Sequence, residues 1–485
     1  MRPEFTIVVD LGFGDAGKGT VVDHHCRVAA AAGRPVGAVV RFNGGAQAAH
    51  NVVTDDGRHH TFAQFGAGTL AGVPTHLSRF MLVDPLALAA EAEHLAALGV
   101  PDPFGALSVH EDALLTTPYH AAANRARELA RGAGRHGSCG MGVGETAAYA
   151  LRHPDDAPRV RDCAHPARLR RLLGELRALL ESDLGPLAAP PVEDCVEVFG
   201  AFPRMVRLVD DRHLADVLRA GPVVFEGAQG VLLDEWHGFH PYTTWSTTTF
   251  ANAEKLLRDA GVDSGAVTRL GVLRTFTTRH GAGPLVTEDA ALRAALPDRH
   301  NGTGRWQGDF RVGHFDAVAH RYAVEVAGGV DAVALTHLDA AARRTLRVCR
   351  AYDVAEPTPG GGRFSDCADI AAPQTPQPGR MDLVNGSAGL AAAGRALPVA
   401  PDGASASGAT RRIDRLSPGP AGDLERSAAL TGRLLRARPV LDEVSPGPDE
   451  WPDVVAEVCG APVSVRSYGP RSSDKQHPRG GDKHH

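Results

Sequence analysis

Lysine is scarce in this chain of 485 residues, with four lysines against 47 arginines. Arginine therefore serves wherever any surface cation will do, and two of the four lysines fall in the polar stretch 474–485. Lys18 instead lies inside a glycine-rich loop, where a compact ammonium does something that a guanidinium fork does less well. The seven cysteines (26, 139, 163, 195, 349, 367 and 459) are odd in number, scattered and never spaced CxxC. That pattern argues against a disulfide framework or a structural zinc site and leads us to expect a reducing cytoplasm. No apolar run approaches the roughly 18 residues that span a bilayer, and Met1–Asp10 enters a strand-like run without a signal-peptide layout. The formal net charge of −6 supplies no global basic field for nucleic acid or an acidic membrane surface. Internal repeats are missing too.

The remainder is ordinary globular usage, 43% apolar and 22% charged, in a chain long enough to bury a large core. Residues 5–10 read as a buried strand, followed by a glycine-rich loop, a helix over about 21–32 and a strand over 36–42. Short β-branched runs then alternate with Ala/Leu/Arg helices: 86–98, 118–131, 166–181, 213–219, 222–225, 317–327 and 331–335. This alternation predicts an α/β fold, a mostly parallel central sheet with flanking helices and a P-loop-like phosphate loop. From about residue 354 Pro, Gly, Ala and Ser dominate without a period. The chain is accordingly divided into an α/β catalytic core (1–353), an insertion or linker that is partly flexible (354–436), a C-terminal part of the core (437–473) and a polar tail (474–485). A helix over 424–436 and a strand over 463–467 are expected within the latter half.

The segment Gly12-Phe-Gly-Asp-Ala-Gly-Lys-Gly-Thr20 follows a strand and opens a helix. Its glycines let backbone N–H groups approach phosphate oxygens, the helix N-terminus adds partial positive charge, and Lys18 supplies a point charge. Gly19 stands where such loops usually carry the Ser or Thr that helps hold magnesium. Asp15 is the candidate replacement, because a carboxylate among phosphate-binding amides is costly unless it holds a metal or takes a proton. A turn-capping role for Asp15 remains the plainer alternative.

Beyond the loop the chain resembles the adenylosuccinate synthetase family. The resemblance rests on Gly14-Asp-Ala-Gly-Lys-Gly19, Val39-Val-Arg-Phe-Asn-Gly-Gly-Ala-Gln-Ala-Ala-His50, Phe225-Glu-Gly-Ala-Gln-Gly-Val-Leu-Leu-Asp234 and Thr278-Arg-His-Gly-Ala-Gly-Pro284. Gly302-Thr-Gly-Arg305, Thr336-His-Leu-Asp339 and Ser467-Tyr-Gly-Pro470 complete seven blocks in the family's order. The resemblance implies a homodimeric GTP-dependent ligase: the 6-oxygen of IMP attacks the γ-phosphate of GTP, and the amine of L-aspartate then displaces phosphate from carbon 6. It places Asp15 as the base that takes the ring proton, His50 as the group that stabilises or protonates the departing phosphate oxygen, and Lys18 as a neutralising charge. Magnesium would be held by Asp15 and a backbone carbonyl near Ala49. GTP contacts map to Gly14, Gly17, Lys18, Gly19, Asp339, Ser467 and Gly469. Acceptor contacts map to Gln47, Ser138, Cys139, Arg152, Gln229 and Thr244, and donor contacts to Thr303, Arg305 and Arg311.

Departures gather at the acceptor and donor. Cys139, Met141 and Glu145 stand where the family has threonine, arginine and proline, and Gln47 replaces asparagine. The donor loop is lengthened by Trp306-Gln-Gly-Asp-Phe310, and His337 replaces a lysine that stacks on guanine. Other readings stay open: a paralogue using a different purine or purine-analogue nucleotide or amine donor, and a guanine-nucleotide-binding protein without ligase activity. Taken singly, Gln229 also reads as a strand-end turn, Asp339 as a cap, and His50 as a satisfied histidine at a helix start. Asp339→Asn should relax the preference for GTP over ATP by about 10-fold, the worth of a charged hydrogen bond. Comparison of kcat/KM for the two nucleotides checks this, and an unchanged ratio removes base readout from Asp339.

Overall fold

The computed structural model describes residues 4–132, 135–262, 267–298, 301–302, 304–355 and 410–478. Phe5-Thr-Ile-Val-Val-Asp10 is buried at every position, as a β-branched run in the middle of a parallel sheet must be. It pairs in parallel with Val223–Glu226 on one side and Val267–Arg274 on the other. The sheet has ten strands, in the order Lys475–Gln476, Val463–Ser467, Ala332–Thr336, Val267–Arg274, Phe5–Asp10, Val223–Glu226, Ala38–Arg41, Thr75–Leu77, Leu107–His110 and Arg207–Val209. Only the edge strand Lys475–Gln476 runs antiparallel within it. The expected α/β class, mostly parallel with flanking helices, is what forms.

Alternation along the central strand assigns the two cores. Phe5, Ile7 and Val9 join one apolar cluster with residues of the helices Asp211–Ala220, Ala317–Val326 and Trp451–Cys459. Val8 faces the opposite cluster, beside Val21 and Val22 of the helix Lys18–Ala31 and Leu88 of the helix Pro85–Ala97. A third, smaller core belongs to the helices Pro118–Ala130, Val143–Arg152, Pro166–Leu184 and Val192–Met205.

The parallel arrangement also aligns polar ends. Asp10, Arg41, Glu226, Arg274, Thr336 and Ser467 each terminate a strand of the sheet, and parallel strands deliver those termini to one edge, where open α/β sheets bind ligands. The first helix starts at Lys18 rather than at residue 21, because Gly17 (φ 96°) turns the loop straight into the helix. His50 opens a β-hairpin strand, His50–Val53, rather than a helix.

Residues 410–436, grouped with the insertion on composition, are built into the folded body. Thr410–Ile413 pairs antiparallel with Val348–Ala355, and in the helix Leu424–Leu434 Ser427 Oγ donates to Gly238 O at 2.5 Å. Compositional bias does not register such cross-strand pairing. Residues 356–409 and 479–485, with the remaining insertion and most of the tail, lie outside the described residues. No helix among the described residues is long and apolar enough to cross a membrane.

Phe225 is fully buried at the centre of the sheet. Phe225→Ala should reduce the unfolding free energy by about 3–5 kcal/mol, measured by urea denaturation. A loss below about 1 kcal/mol would contradict its central place in the core.

Candidate active site

Asp10 organises the phosphate loop. Its Oδ1 accepts from the amides of Gly12 at 2.8 Å and Gly14 at 3.3 Å, and its Oδ2 from the amide of Ala16 at 2.8 Å. Lys18 Nζ donates to the same Oδ2 at 3.3 Å and to Gln229 O at 2.6 Å. Both side chains are buried, so the ammonium is held as one member of an ion pair at the cavity wall. In sequence Asp10 is only the last residue of a strand. Its signal was available: a carboxylate at a strand end immediately before a glycine loop.

Gly19 is explained by packing. A Cβ there would stand 2.8 Å from the Cβ of His50, so the position that elsewhere carries Ser or Thr is occupied by the approach of the histidine strand. The ring of His50 is fixed in turn by Glu226, with Nδ1 at 2.6 Å from Oε1. Glu226 Oε2 accepts from the Ala67 amide at 2.8 Å. Burial, the largest influence on Glu226, opposes its charge, but Arg41 and His50 outweigh it and bring its pKa below the usual glutamate value. Burial takes the His50 pKa down, against the pull of Glu226. The imidazole is therefore neutral near pH 7, with Nδ1–H on Glu226 and the Nε2 lone pair left for the cavity that His50 lines.

That cavity, of about 1890 Å³, runs from the strand ends to the helical layer. It brings together Gly14, Asp15, Gly17, Lys18, Gly19, Gln47, Ala49, His50, Ser138, Cys139, Arg152, Gln229, Thr244, Asp339, Ser467 and Gly469. Among the described residues three non-glycine residues adopt left-handed backbone, Asp15 (φ 61°), Gln229 (φ 59°) and His337 (φ 59°), and all three line it. Such conformations cost about 1–3 kcal/mol each and cluster at functional sites. The buried side-chain amides of Gln47 and Gln229 have no partner in the protein at either oxygen or nitrogen, an arrangement that suits a polar ligand.

Asp15 faces His280, with Nε2 at 3.1 Å from Oδ2. Burial opposes ionisation of Asp15, yet the His280 hydrogen bond and the charges of His280, Arg274 and Lys18 bring its pKa below the usual aspartate value. Arg274, at the end of its strand, donates to Thr278 Oγ1 at 2.8 Å and lies 2.7 Å from His337 Nε2. Burial holds His337 neutral, so its ring accepts from this guanidinium. Asp339 is ion-paired with Arg343, four residues on in the chain. Ser467 Oγ donates to Gly469 O at 3.0 Å. Arg279 is buried: it lies 4.4 Å over the Phe13 ring and donates to three carbonyls.

On the acceptor side Asn124 donates to Ser138 Oγ at 2.9 Å, and Glu145 pairs with Arg127 at 3.1 Å. Glu235, another cavity residue that the sequence did not single out, is pushed up to about 7 by burial. Two of the expected donor residues do not reach the main cavity. Gly304 and Gly308 exchange backbone hydrogen bonds at 2.8 and 3.0 Å, closing the lengthened loop on itself. Arg305 then stacks on Trp306 at 5.1 Å, while Arg311 donates to Glu288 Oε1 at 2.9 Å and to the carbonyls of Gly281 and Gly283. Both line a second cavity of about 410 Å³, which shares Gly137, Ala282 and Gln307 with the first. Asp309, in the lengthened loop, lies 3.2 Å from Arg293. Thr303 lies outside the described residues.

Comparison with known proteins gives this geometry a context. The model of the family described as adenylosuccinate synthetase matches residues 7–372. The adenylosuccinate synthetase of Neisseria gonorrhoeae is 33% identical over 371 residues, covering 74% of this chain and 81% of that protein. That of Desulfovibrio desulfuricans is 32% identical over 369 residues, covering 72% and 81%. Among solved structures, the fully ligated adenylosuccinate synthetase of Plasmodium falciparum superposes with a TM-score of 0.71 at 16% identity, covering 97% of this chain and 98% of that one. The succinoaminodeoxyadenylate synthetase of cyanophage S-2L, bound to dGMP and dATP, gives 0.55 at 17% identity, covering 98% and 96%. At such identities these two show a shared fold.

Asp10→Asn would turn an amide N–H toward the Ala16 amide and the Lys18 ammonium, stranding a buried cation. The loss expected is about 3–5 kcal/mol of stability, read from chemical denaturation. A variant as stable as the parent would show that Asp10 does not organise the loop.

Proposed function

The chain belongs to the adenylosuccinate synthetase family and is thus a carbon–nitrogen ligase; from that premise we propose that it condenses IMP with L-aspartate at the expense of GTP, through a 6-phosphoryl intermediate, in purine nucleotide biosynthesis. The observation that carries this reading is the convergence of Asp15, Lys18 and His50 on one cavity beside two orphaned glutamine amides. A ring carbonyl oxygen is a poor leaving group, and phosphorylation makes it a good one. As the oxygen attacks, the lactam must give up its ring proton, and the ionised Asp15 carboxylate is the acceptor at hand. Lys18 neutralises charge as it develops on the phosphate oxygens. His50 acts after gaining a second proton, which the negative charge of a bound triphosphate and the Glu226 carboxylate both favour. Its Nε2–H then donates to the departing oxygen.

The residues fit magnesium. Asp15 offers a hard carboxylate oxygen and Ala49 a backbone carbonyl among the residues that line the same cavity. Such sparse protein ligation suits an ion completed by phosphate oxygens and water. When bound, magnesium neutralises charge between the phosphates. GTP is assigned to Gly14, Gly17, Gly19, Asp339, Ser467 and Gly469, and the acceptor to Gln47, Ser138, Cys139, Arg152, Gln229 and Thr244. The donor carboxylates are assigned to the second chamber through Arg305 and Arg311, with Thr303. A homodimer is supported by Leu129, Leu151 and Leu179, which are 55%, 49% and 42% exposed on three helices of the helical layer. Among the described residues, six unpaired cysteines support a cytoplasmic setting.

One observation favours a second reading, in which the acceptor is another purine nucleotide. Arg127, which lines the cavity, is already paired with Glu145 and with Asp183, which leaves it poorly placed for an acceptor phosphate. Purified protein with GTP, magnesium, IMP and aspartate should release phosphate only when all are present. Release without an acceptor would overturn the ligase reading, and release with a different 6-oxopurine nucleotide alone would select the second. Asp15→Ala and His50→Ala should each lower kcat by at least about 100-fold; retained turnover would remove their assigned roles.

A further inference from the structure

His280 has no place in the assignments above, yet it is the residue that holds Asp15. It ends the strand Thr277–His280, opposite Phe310 in the antiparallel ladder, and its ring centroid lies 4.8 Å from the Phe310 ring. Packing from behind aims Nε2 at the cavity. There it lies 3.1 Å from Asp15 Oδ2 and 3.2 Å from Asn301 Oδ1. Imidazole carries one hydrogen on that nitrogen, so a single N–H is divided between two oxygens of different segments. Asn301 is anchored on its far side by Asp298, which accepts from its amide N at 3.1 Å and its Nδ2 at 3.2 Å.

Among the described residues His280 is the side-chain hydrogen-bond partner of the Asp15 carboxylate. Lys18, the neighbouring cation, is engaged by Asp10 and by Gln229 O. Asp15 is itself in the left-handed region, a backbone conformation that costs free energy for a residue with a Cβ. Its carboxylate direction therefore depends on the imidazole, and the imidazole answers equally to the segment leading into Arg305. A shared donor transmits displacement: when Asn301 moves, the strength and direction of the bond to Asp15 change with it.

We infer that His280 is a positioning residue that ties the amino-acid donor loop to the orientation of Asp15, so that the base is correctly aimed only when that loop is seated. The inference rests on the reading of Asp15 as base and of Arg305 as a donor contact. It assigns to the chain a physical link between its two half-reactions: proton removal at the acceptor and delivery of the amine.

Two substitutions separate positioning from mere packing. His280→Phe keeps a ring against Phe310 and removes the N–H; His280→Gln restores an N–H at a similar reach. Steady-state kinetics with GTP, magnesium, IMP and aspartate should show kcat about 10-fold lower and the KM for aspartate about 10-fold higher in His280→Phe, with the KM for GTP within about 2-fold. His280→Gln should recover to within about 3-fold of the parent. Equal loss in both variants, or unchanged kinetics in His280→Phe, overturns the inference. Amide hydrogen exchange of the unliganded protein judges the link apart from turnover. His280→Phe should accelerate exchange in both 12–19 and 304–313 by about 10-fold, with His280→Gln near the parent. Acceleration in one segment alone overturns the link. A parent protein that exchanges as expected but releases no phosphate with any 6-oxopurine nucleotide would count against the proposed function instead.

Discussion

A buried carboxylate with four donors on it sets the geometry of this molecule's polar edge. Asp10 receives the amides of Gly12, Gly14 and Ala16 and the ammonium of Lys18, and each of these bonds fixes part of the loop that follows. Its two oxygens are shared among four donors, so carboxylate and lysine satisfy one another although both are almost wholly enclosed. The loop amides that remain are thereby left for a ligand. The second bond of Lys18, to Gln229 O, links the central strand to its neighbour and places the orphaned Gln229 amide beside the loop.

The same economy governs the imidazoles of the cavity. His50 is oriented by Glu226, His337 is kept neutral against Arg274, and His280 is divided between Asp15 and Asn301. Each has one nitrogen committed to a defined partner, which fixes ring direction in a way that exposed histidines cannot match. Three left-handed non-glycine residues sit among them, and the surrounding hydrogen bonds hold those unfavourable backbones in place.

Much of the fold was legible from local pattern. A β-branched run next to a glycine loop, then a helix, repeated with variations, specified a parallel sheet, and the strand and helix positions read from periodicity lie within a few residues of those observed. The loop itself was legible because phosphate cradles need glycine and a cation at fixed spacing. Less legible were partners distant in sequence. Glu226 meets His50 across 176 positions, and Gln229 meets Lys18 across 211. Arg274 carried no local signal that it would meet His337. The donor loop was legible only in its arginines; the Gly304–Gly308 closure, which sets the chamber that Arg305 and Arg311 line, was not.

What the sequence determined alone was the alternation of elements, the phosphate loop and the order of seven motif blocks along the chain. These depend on neighbours within a turn or a strand, where side-chain pattern and backbone preference act directly. Only the tertiary structure decided which carboxylate governs which cation, which nitrogen of each histidine faces the cavity, and that residues 410–436 belong to the folded body. Those outcomes follow from sheet order and burial, because a charge or a hydrogen bond acquires its strength from what is packed around it.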